Sequence, residues 1–326
     1  MSTDTLQRAP LRRITADGNW RSFVPVIVLI VFVAIISAIE PTFIGAPSLK
    51  VLIDESLPIL ILALGQMPVL LVASIDLSSA ALASLGTIIL AHSLQSFGPG
   101  GLLAVLVLTT LAGALNGFLV AVAQVPSFIV TLGALGLWQA AALIWSNAQT
   151  VPISTGYEYI GWLVDQQLAG LTVGVWACVV LVILMSLFLY LTNAGQALYA
   201  VGLNERATLL TGMAARRTKI LAFAISGLSA GLASILLAAK QYSAAPGLAD
   251  SLLLPCIAAA IIGGCAITGG VGNPLGVLFG ALILTVLRVG TTVAGVNPNA
   301  QQIIYGFTII VAVALTIDRR RFSYIK

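Results

Sequence analysis

The sequence predicts an all-α, polytopic integral membrane protein with about ten transmembrane helices, some of them broken or re-entrant. Three observations carry this. The 326 residues are 59% hydrophobic and 8% charged, with a mean hydropathy of +1.08, whereas a soluble domain is about a quarter charged. Apolar runs recur along the chain, many near the roughly 20 residues that a helix needs to cross a core of about 30 Å. Lys and Arg fall in clusters that share one side once the runs are threaded alternately through a membrane. A large soluble core does not account for so few charges, because it needs a polar shell to stay dissolved.

The runs lie near 23–39, 57–74, 78–95, 102–123, 127–146, 172–192, 220–239, 255–268, 274–293 and 302–317. The first follows Arg8, Arg12, Arg13 and Arg21, as a secretory leader would. No small-x-small site precedes Glu40-Pro41, so it is read as a retained span. The second and eighth runs are the weakest. Gly65-Gln66-Met67-Pro68 interrupts one, and the other runs into a Gly-rich stretch. Broken helices are tolerated where protein or a water-filled path covers the freed backbone. The expected organisation is a cytoplasmic segment 1–22, a transmembrane domain 23–317 and a cytoplasmic tail 318–326. A polar cytoplasmic segment at about 195–219 interrupts the domain.

Orientation follows from the cations. With the N-terminus inside, the inner segments hold Arg8, Arg12, Arg13, Arg21, Arg206, Arg216, Arg217, Lys219, Arg319, Arg320, Arg321 and Lys326, most of the 15. Lys50 and Lys240 fall outside, and Arg288 toward the middle of a span. Both termini are therefore expected in the cytoplasm. The net charge of +4 reflects these flanking positions and does not point to nucleic acid. Trp20, Trp145 and Trp176 fall near span ends, where indole rings prefer the interface. The outer segment from Asn147 to Gly170, with Tyr157, Tyr159, Ile160, Trp162 and Leu163, is expected to lie partly along the membrane surface. Cys178, Cys256 and Cys265 sit in apolar runs without CxxC or metal-ligand spacing, and read as small buried side chains.

Between two of these runs, YAVGLNERATLLTGMAARRTKI (Tyr199–Ile220) turns polar. Asn204 is a good N-cap, Glu205 suits the first turn, and Gly212 suits the C′ position. A helix of about seven residues lies between, too short to be stable alone in water. Leu203, Ala207, Leu210 and Ala214 recur at helical spacing as one apolar stripe, flanked by Arg206 and by Arg216-Arg217-Thr218-Lys219. Such a helix either lies on the inner membrane surface or docks a cytoplasmic protein. These residues alone fit both readings.

The block AVGLNERATLLTGM, running into KILAFAISGLSAGLASILLAA, resembles the cytoplasmic coupling region of ABC-transporter permeases of the ribose type. Three further blocks resemble that family in the same order: AGALNGFLVA with VPSFIVTLGALG, IIGGCAITGGVGNPLGVLFGALILTVLRVG, and QQIIYGFTIIVAVALTID. One departure is local. The family usually has glycines around Ile-Asp-Leu-Ser, and this chain keeps Ile75-Asp76-Leu77-Ser78 within VASIDLSSAALASLG. The resemblance implies the permease subunit of a bacterial inner-membrane importer of a small polar solute, a monosaccharide or related polyol. Branched-chain amino acids and nucleosides are the nearest alternatives. It also implies an ATP-binding cassette subunit that receives Leu203, Asn204, Glu205, Arg206, Ala207, Leu210 and Gly212, an extracytoplasmic solute-binding protein, and a second permease subunit. ATP and Mg would belong to the partner, with no cofactor on this chain.

The membrane interior carries few polar groups. An Asp at mid-membrane costs about 2.5–3.5 kcal/mol on insertion scales. Asp76 is therefore read as capping the next helix at the inner end of a span, with a role in the solute path as the alternative. Asn116, between Gly113 and Gly117, reads either as a bond across a helix contact or as a path-lining amide. Gln66, Thr131 and Gln139 are similar candidates. Gly113 with Gly117, Gly227 with Gly231, and Gly272, Gly276 and Gly280 are expected as helix-packing seams. Thr268 to Gly272 lacks the Lys-Ser/Thr of a phosphate loop. His92 is expected to be interfacial or solvated. Neither a metal cluster nor a catalytic set can be assembled. An ion-driven carrier, the rival class, would need buried coupling charges, for which Asp76 and Arg288 are weak candidates.

Overall fold

The computed structural model describes residues 24–293 continuously and scattered positions from 295 to 310. The N-terminal segment, Trp20, the tail and nearly all of the tenth run lie outside the described residues. The helices are α1 (Val24–Ile39), α2 (Ala46–Leu71), α3 (Ser79–Phe97), α4 (Gly100–Ala121), α5 (Ser127–Trp145), α6 (Glu158–Asp165), α7 (Val173–Leu191), α8 (Asn193–Leu203), α9 (Glu205–Leu210), α10 (Ala215–Gln241), α11 (Leu253–Ile262) and α12 (Pro274–Val293). Among the described residues, the only strands are two short antiparallel pairs, 151–152 with 243–244 and 167–168 with 171–172. The architecture is all-α and polytopic. Among the described residues, six helices, α3, α4, α5, α7, α10 and α12, are long and apolar enough to cross a membrane.

The second run differs from expectation. Its helix begins at Ala46 and continues unbroken to Leu71 through Pro58 and Pro68. Gly65 marks a close approach rather than a break, because a Cβ there would lie 2.5 Å from Cβ of Ser229 on α10. The irregular backbone comes later, at 72–78. The eighth run gives α11, whose ten residues reach only about 15 Å at 1.5 Å each. Irregular backbone at 263–273 follows it, covered by Met67 and Leu71 of α2 and by α8, as lipid-embedded protein requires.

The core is built around α3, most of which is buried, and around α10, which packs against α4, α2 and α3. The α4–α10 contact is the predicted glycine seam. A Cβ on Gly113 would overlap the Phe223 carbonyl oxygen, and one on Gly227 would overlap that of Thr109. Gly117 meets Ile220 and Phe223, and Gly231 meets Thr109 and Leu106. Such contacts gain van der Waals energy that bulkier residues would forfeit. In the α11–α12 seam, Gly276 faces Gly263 and Gly280 faces Ala259, so these helices run antiparallel. Gly272 belongs to neither seam. It lies in the 263–273 loop, against Cys265, Leu71 and Met67.

Outward, α4, α5 and α7 present Leu103, Leu111, Ile129, Ile144, Val180 and Leu184 in the open, the surface a lipid-facing helix needs. On α5 only Thr131 and Ala142 are buried. Trp145 and Trp176 are exposed at helix ends. Cys178, Cys256 and Cys265 are free thiols and all buried.

The end of the bundle opposite α9 is closely fastened. Glu55 on α2 pairs with Lys240 on α10 at 2.6 Å and with Arg288 on α12. Arg288, expected mid-span, is thus joined to α2 directly and through Glu55 to the end of α10. Helix α6 packs one face on α10 and α7, with Ile160 fully buried, and leaves Tyr159 and Trp162 exposed on the other. Tyr157 stacks on Tyr242 with ring centroids 4.6 Å apart.

Candidate functional site

The polar residues named from sequence divide into two groups. After Leu71 the chain turns back beside α2, with Ala73 N–H donating to Leu70 O and Ser74 N–H to Val69 O. This brings Asp76 level with Gln66, five residues before the end of α2 and so about 7.5 Å up its axis. The Gln66 amide, oriented by its neighbours, donates to the Asp76 carbonyl and accepts from the Asp76 N–H, both at 3.1 Å. The Asp76 carboxylate then joins three elements. Oδ1 accepts from Ser78 N–H at 2.8 Å and Ser78 Oγ at 2.7 Å, which holds the start of α3. Oδ2 accepts from Ser226 Oγ on α10 at 2.7 Å. Asn116 on α4 donates to Ser78 Oγ at 2.9 Å.

This network is closed. Gln66, Asp76, Ser78, Asn116 and Ser226 are each at most 2% exposed. The carboxylate keeps its bonds where isolation would be prohibitive. Asp76 holds α3 from within the bundle, level with a residue eleven beyond Ala215, about 16 Å along α10, rather than at the inner edge. Thr131 on α5 joins the periphery, donating to Ser127 O at 2.9 Å and to Ile75 O at 3.4 Å, and Ser127 Oγ accepts from Ile75 N–H.

Gln139 stands apart. Its amide donates to Asp250 Oδ2 at 2.9 Å, and Ser84 Oγ donates to Asp250 Oδ1 at 2.9 Å. This second group joins α5, α3 and the turn before α11. Sequence reasoning missed Ser78 as an acceptor for Asn116, and it missed Ser84, Ser226 and Asp250. A serine in an apolar run carries no sequence signal of a partner far away in the chain, and neither does a lone Asp250. His92 is half-buried near the end of α3: its ring stacks on the exposed Trp145 at 6.0 Å, and its Nε2 is buried without a partner among the described residues.

A cavity of about 200 Å³ opens at the end opposite α9, lined by Asp54, Asp165, Thr172, Lys240 and Tyr242 with Leu57, Val164 and Leu236. Thr172 donates to Asp54 at 2.6 Å, and the Tyr242 hydroxyl to Asp165 at 3.2 Å.

At the other end α9 spans six residues, slightly shorter than expected. The Asn204 side chain accepts from Ala207 N–H at 3.0 Å, the N-cap bond. Gly212 ends the turn with φ +82° and open space around it, so glycine serves there for its backbone alone. Glu205 pairs with Lys219 at 2.7 Å. Thr208 faces inward and donates to Ala200 O and Asn204 O. Leu203, Ala207, Leu210 and Ala214 are all exposed, Leu210 at 90%. Arg206, Arg216 and Arg217 are exposed beside them.

From residue 48 to 313 the chain matches the family model described as branched-chain amino acid transport system / permease component. It is 33% identical to the ribose import permease protein RbsC of Escherichia coli (strain K12) over 294 residues, 88% of this chain and 91% of that protein. The protein of the same name from Bacillus subtilis (strain 168) is 28% identical over 327 residues, 98% and 99% of the two chains. The fructose import permease protein FrcC of Rhizobium meliloti is 31% identical over 302 residues, 90% and 84% of the two. No solved structure matches. With a polytopic apolar fold and a match over most of its length, the chain belongs to the ABC-transporter permease family described as branched-chain amino acid transport system / permease component.

Proposed function

We propose that this chain is the transmembrane permease subunit of a bacterial ATP-driven importer that carries a monosaccharide or related polyol. The observation that carries the reading is the exposed stripe of α9. A six-residue helix has too little internal bonding to stand alone, and this one offers its apolar side chains outward beside exposed arginines. A separate ATP-binding subunit covers that stripe, with ATP and Mg on the partner. An extracytoplasmic binding protein delivers the solute, and a second permease subunit completes the path. The basic segments lie in the cytoplasm, with both termini, and the chain sits in the inner membrane.

The relatives named for ribose and fructose support the solute class. A role for Gln66, Asp76, Asn116, Thr131 and Gln139 in the solute path requires the bundle to open, because here their polar groups are bonded within the protein. Ion coupling has less support, because Asp76 is saturated by serines and Arg288 is paired with Glu55.

The test is to purify the complex gently from its own membranes through a tag on this chain and weigh its components. An ATP-binding subunit in near-equal amount is expected, and the chain emerging alone from several detergents would overturn the reading. Leu210→Asp should lower ATP-dependent uptake of labelled ribose or fructose at least tenfold, with the chain still inserted. Uptake at the unaltered level would end the docking assignment.

A further inference from the structure

Helix α9 has few holds on the rest of the chain. Thr208 bonds it to α8, and Glu205 reaches Lys219 at the start of α10. A force on α9 therefore bears on α8, and the last turn of α8 is where the two irregular stretches of the bundle meet. At Gly202 a Cβ would overlap both the Leu71 carbonyl oxygen and the Gly270 N–H, and these two groups are bonded to each other at 2.9 Å. Around this point the fit is equally close. A Cβ on Gly269 would lie 2.9 Å from Ala73 Cβ and 3.0 Å from Gly202 Cα, and one on Gly270 would lie 2.6 Å from Leu203 Cγ. Earlier in α8, the Tyr199 hydroxyl donates to Gly272 O at 3.0 Å.

We propose that Gly202 is the joint through which movement of α9 reaches the membrane interior, by bearing at once on the end of α2 and on the 263–273 loop. The proposal rests on the reading of α9 as the docking helix. Side chains absorb small displacements by changing rotamer, and at this contact backbone meets backbone with none between. A shift of α8 must therefore displace Leu71, Gly270 or both. From Leu71 the displacement passes to the turn before Asp76, whose carboxylate holds α3 and α10 and, through Ser78, α4. From Gly270 it passes to the hairpin of α11 and α12. One residue next to the docking helix thus reaches six of the bundle's helices through two routes. Gly202 and Tyr199 act as positioning residues, since neither touches ATP.

The test uses the complete complex in lipid vesicles, measuring ATP hydrolysed and labelled ribose or fructose carried, whichever the unaltered complex imports. Gly202→Ala forces a methyl group into the joint, and Tyr199→Phe removes a single hydroxyl and keeps the fold. Uptake should fall at least fivefold in the first and about two- to threefold in the second, with hydrolysis within twofold of normal. ATP spent per solute then rises. An unchanged ratio in Tyr199→Phe would overturn the proposal, whether or not Gly202→Ala assembles. If the unaltered complex neither retains an ATP-binding subunit nor carries either sugar, the underlying reading of α9 fails instead.

Discussion

The two stretches where helices give way to irregular backbone, 72–78 and 263–273, meet the same requirement by different means. Backbone N–H and C=O groups away from water must be paired. In the first stretch the chain turns back onto α2 through Ala73 and Ser74 N–H, and from Asp76 onward side chains do it. Gln66 clasps Asp76 from both sides, and the Asp76 carboxylate gathers Ser78 and Ser226. In the second the chain pairs largely with itself, Cys265 N–H to Ala260 O, Ala266 N–H to Val271 O and Gly269 N–H to Ala266 O, each at 3.0 Å, with Gly270 N–H to Leu71 O and the Tyr199 hydroxyl to Gly272 O as its outside holds. Its turns place Gly264, Gly269 and Gly270 at φ +94°, +87° and +74°, where glycine bears no steric penalty. The first stretch also turns left-handed, but at Ala73, φ +55°. Polar side chains tie several helices to one point. Self-paired glycine turns can shift as a unit, provided nothing bulky stands in the seam.

The strongest way to break this contrast is Asp76→Ala. It strands Ser78 N–H, Ser78 Oγ and Ser226 Oγ inside the bundle, and should cost roughly 3 kcal/mol or more. Thermal unfolding in detergent should show a large fall, with Asp76→Asn retaining most of the stability. The glycine-built stretch should instead be sensitive to bulk. Gly276→Val presses on the Gly263 backbone and should cost about 1–3 kcal/mol, as overpacking does, read by the same melt. The smallest effect sharpens the comparison. Ala73→Gly relieves a left-handed alanine and should raise stability by up to about 1 kcal/mol. No gain in melting temperature would mean that the Ala73 contact with Gly269 outweighs the backbone strain.

The helices were legible because crossing a hydrocarbon layer demands long apolar runs, and few other structures produce them. The glycine seams were legible for a related reason, since small residues at four-residue spacing have little use on a lipid-facing surface. What stayed hidden depended on pairing across distance. Glu55, Lys240 and Arg288 are far apart in the chain, and their join follows only from the placement of three helices. Ser226 looks like any small residue of α10, and only the return of the chain after Leu71 brings Asp76 to it. Gly65-Gln66-Met67-Pro68 read as a break because glycine and proline usually signal one, but close packing against α10 holds the helix intact there. The α9 stripe was visible from spacing alone, and its exposure was not.

The burial of all three cysteines has a practical side. A charged maleimide in water meets no native thiol on the described surface of this protein, so the unaltered chain is its own blank. A single cysteine placed at Leu210 would give the only expected signal, and shielding of that signal would report directly when α9 is covered.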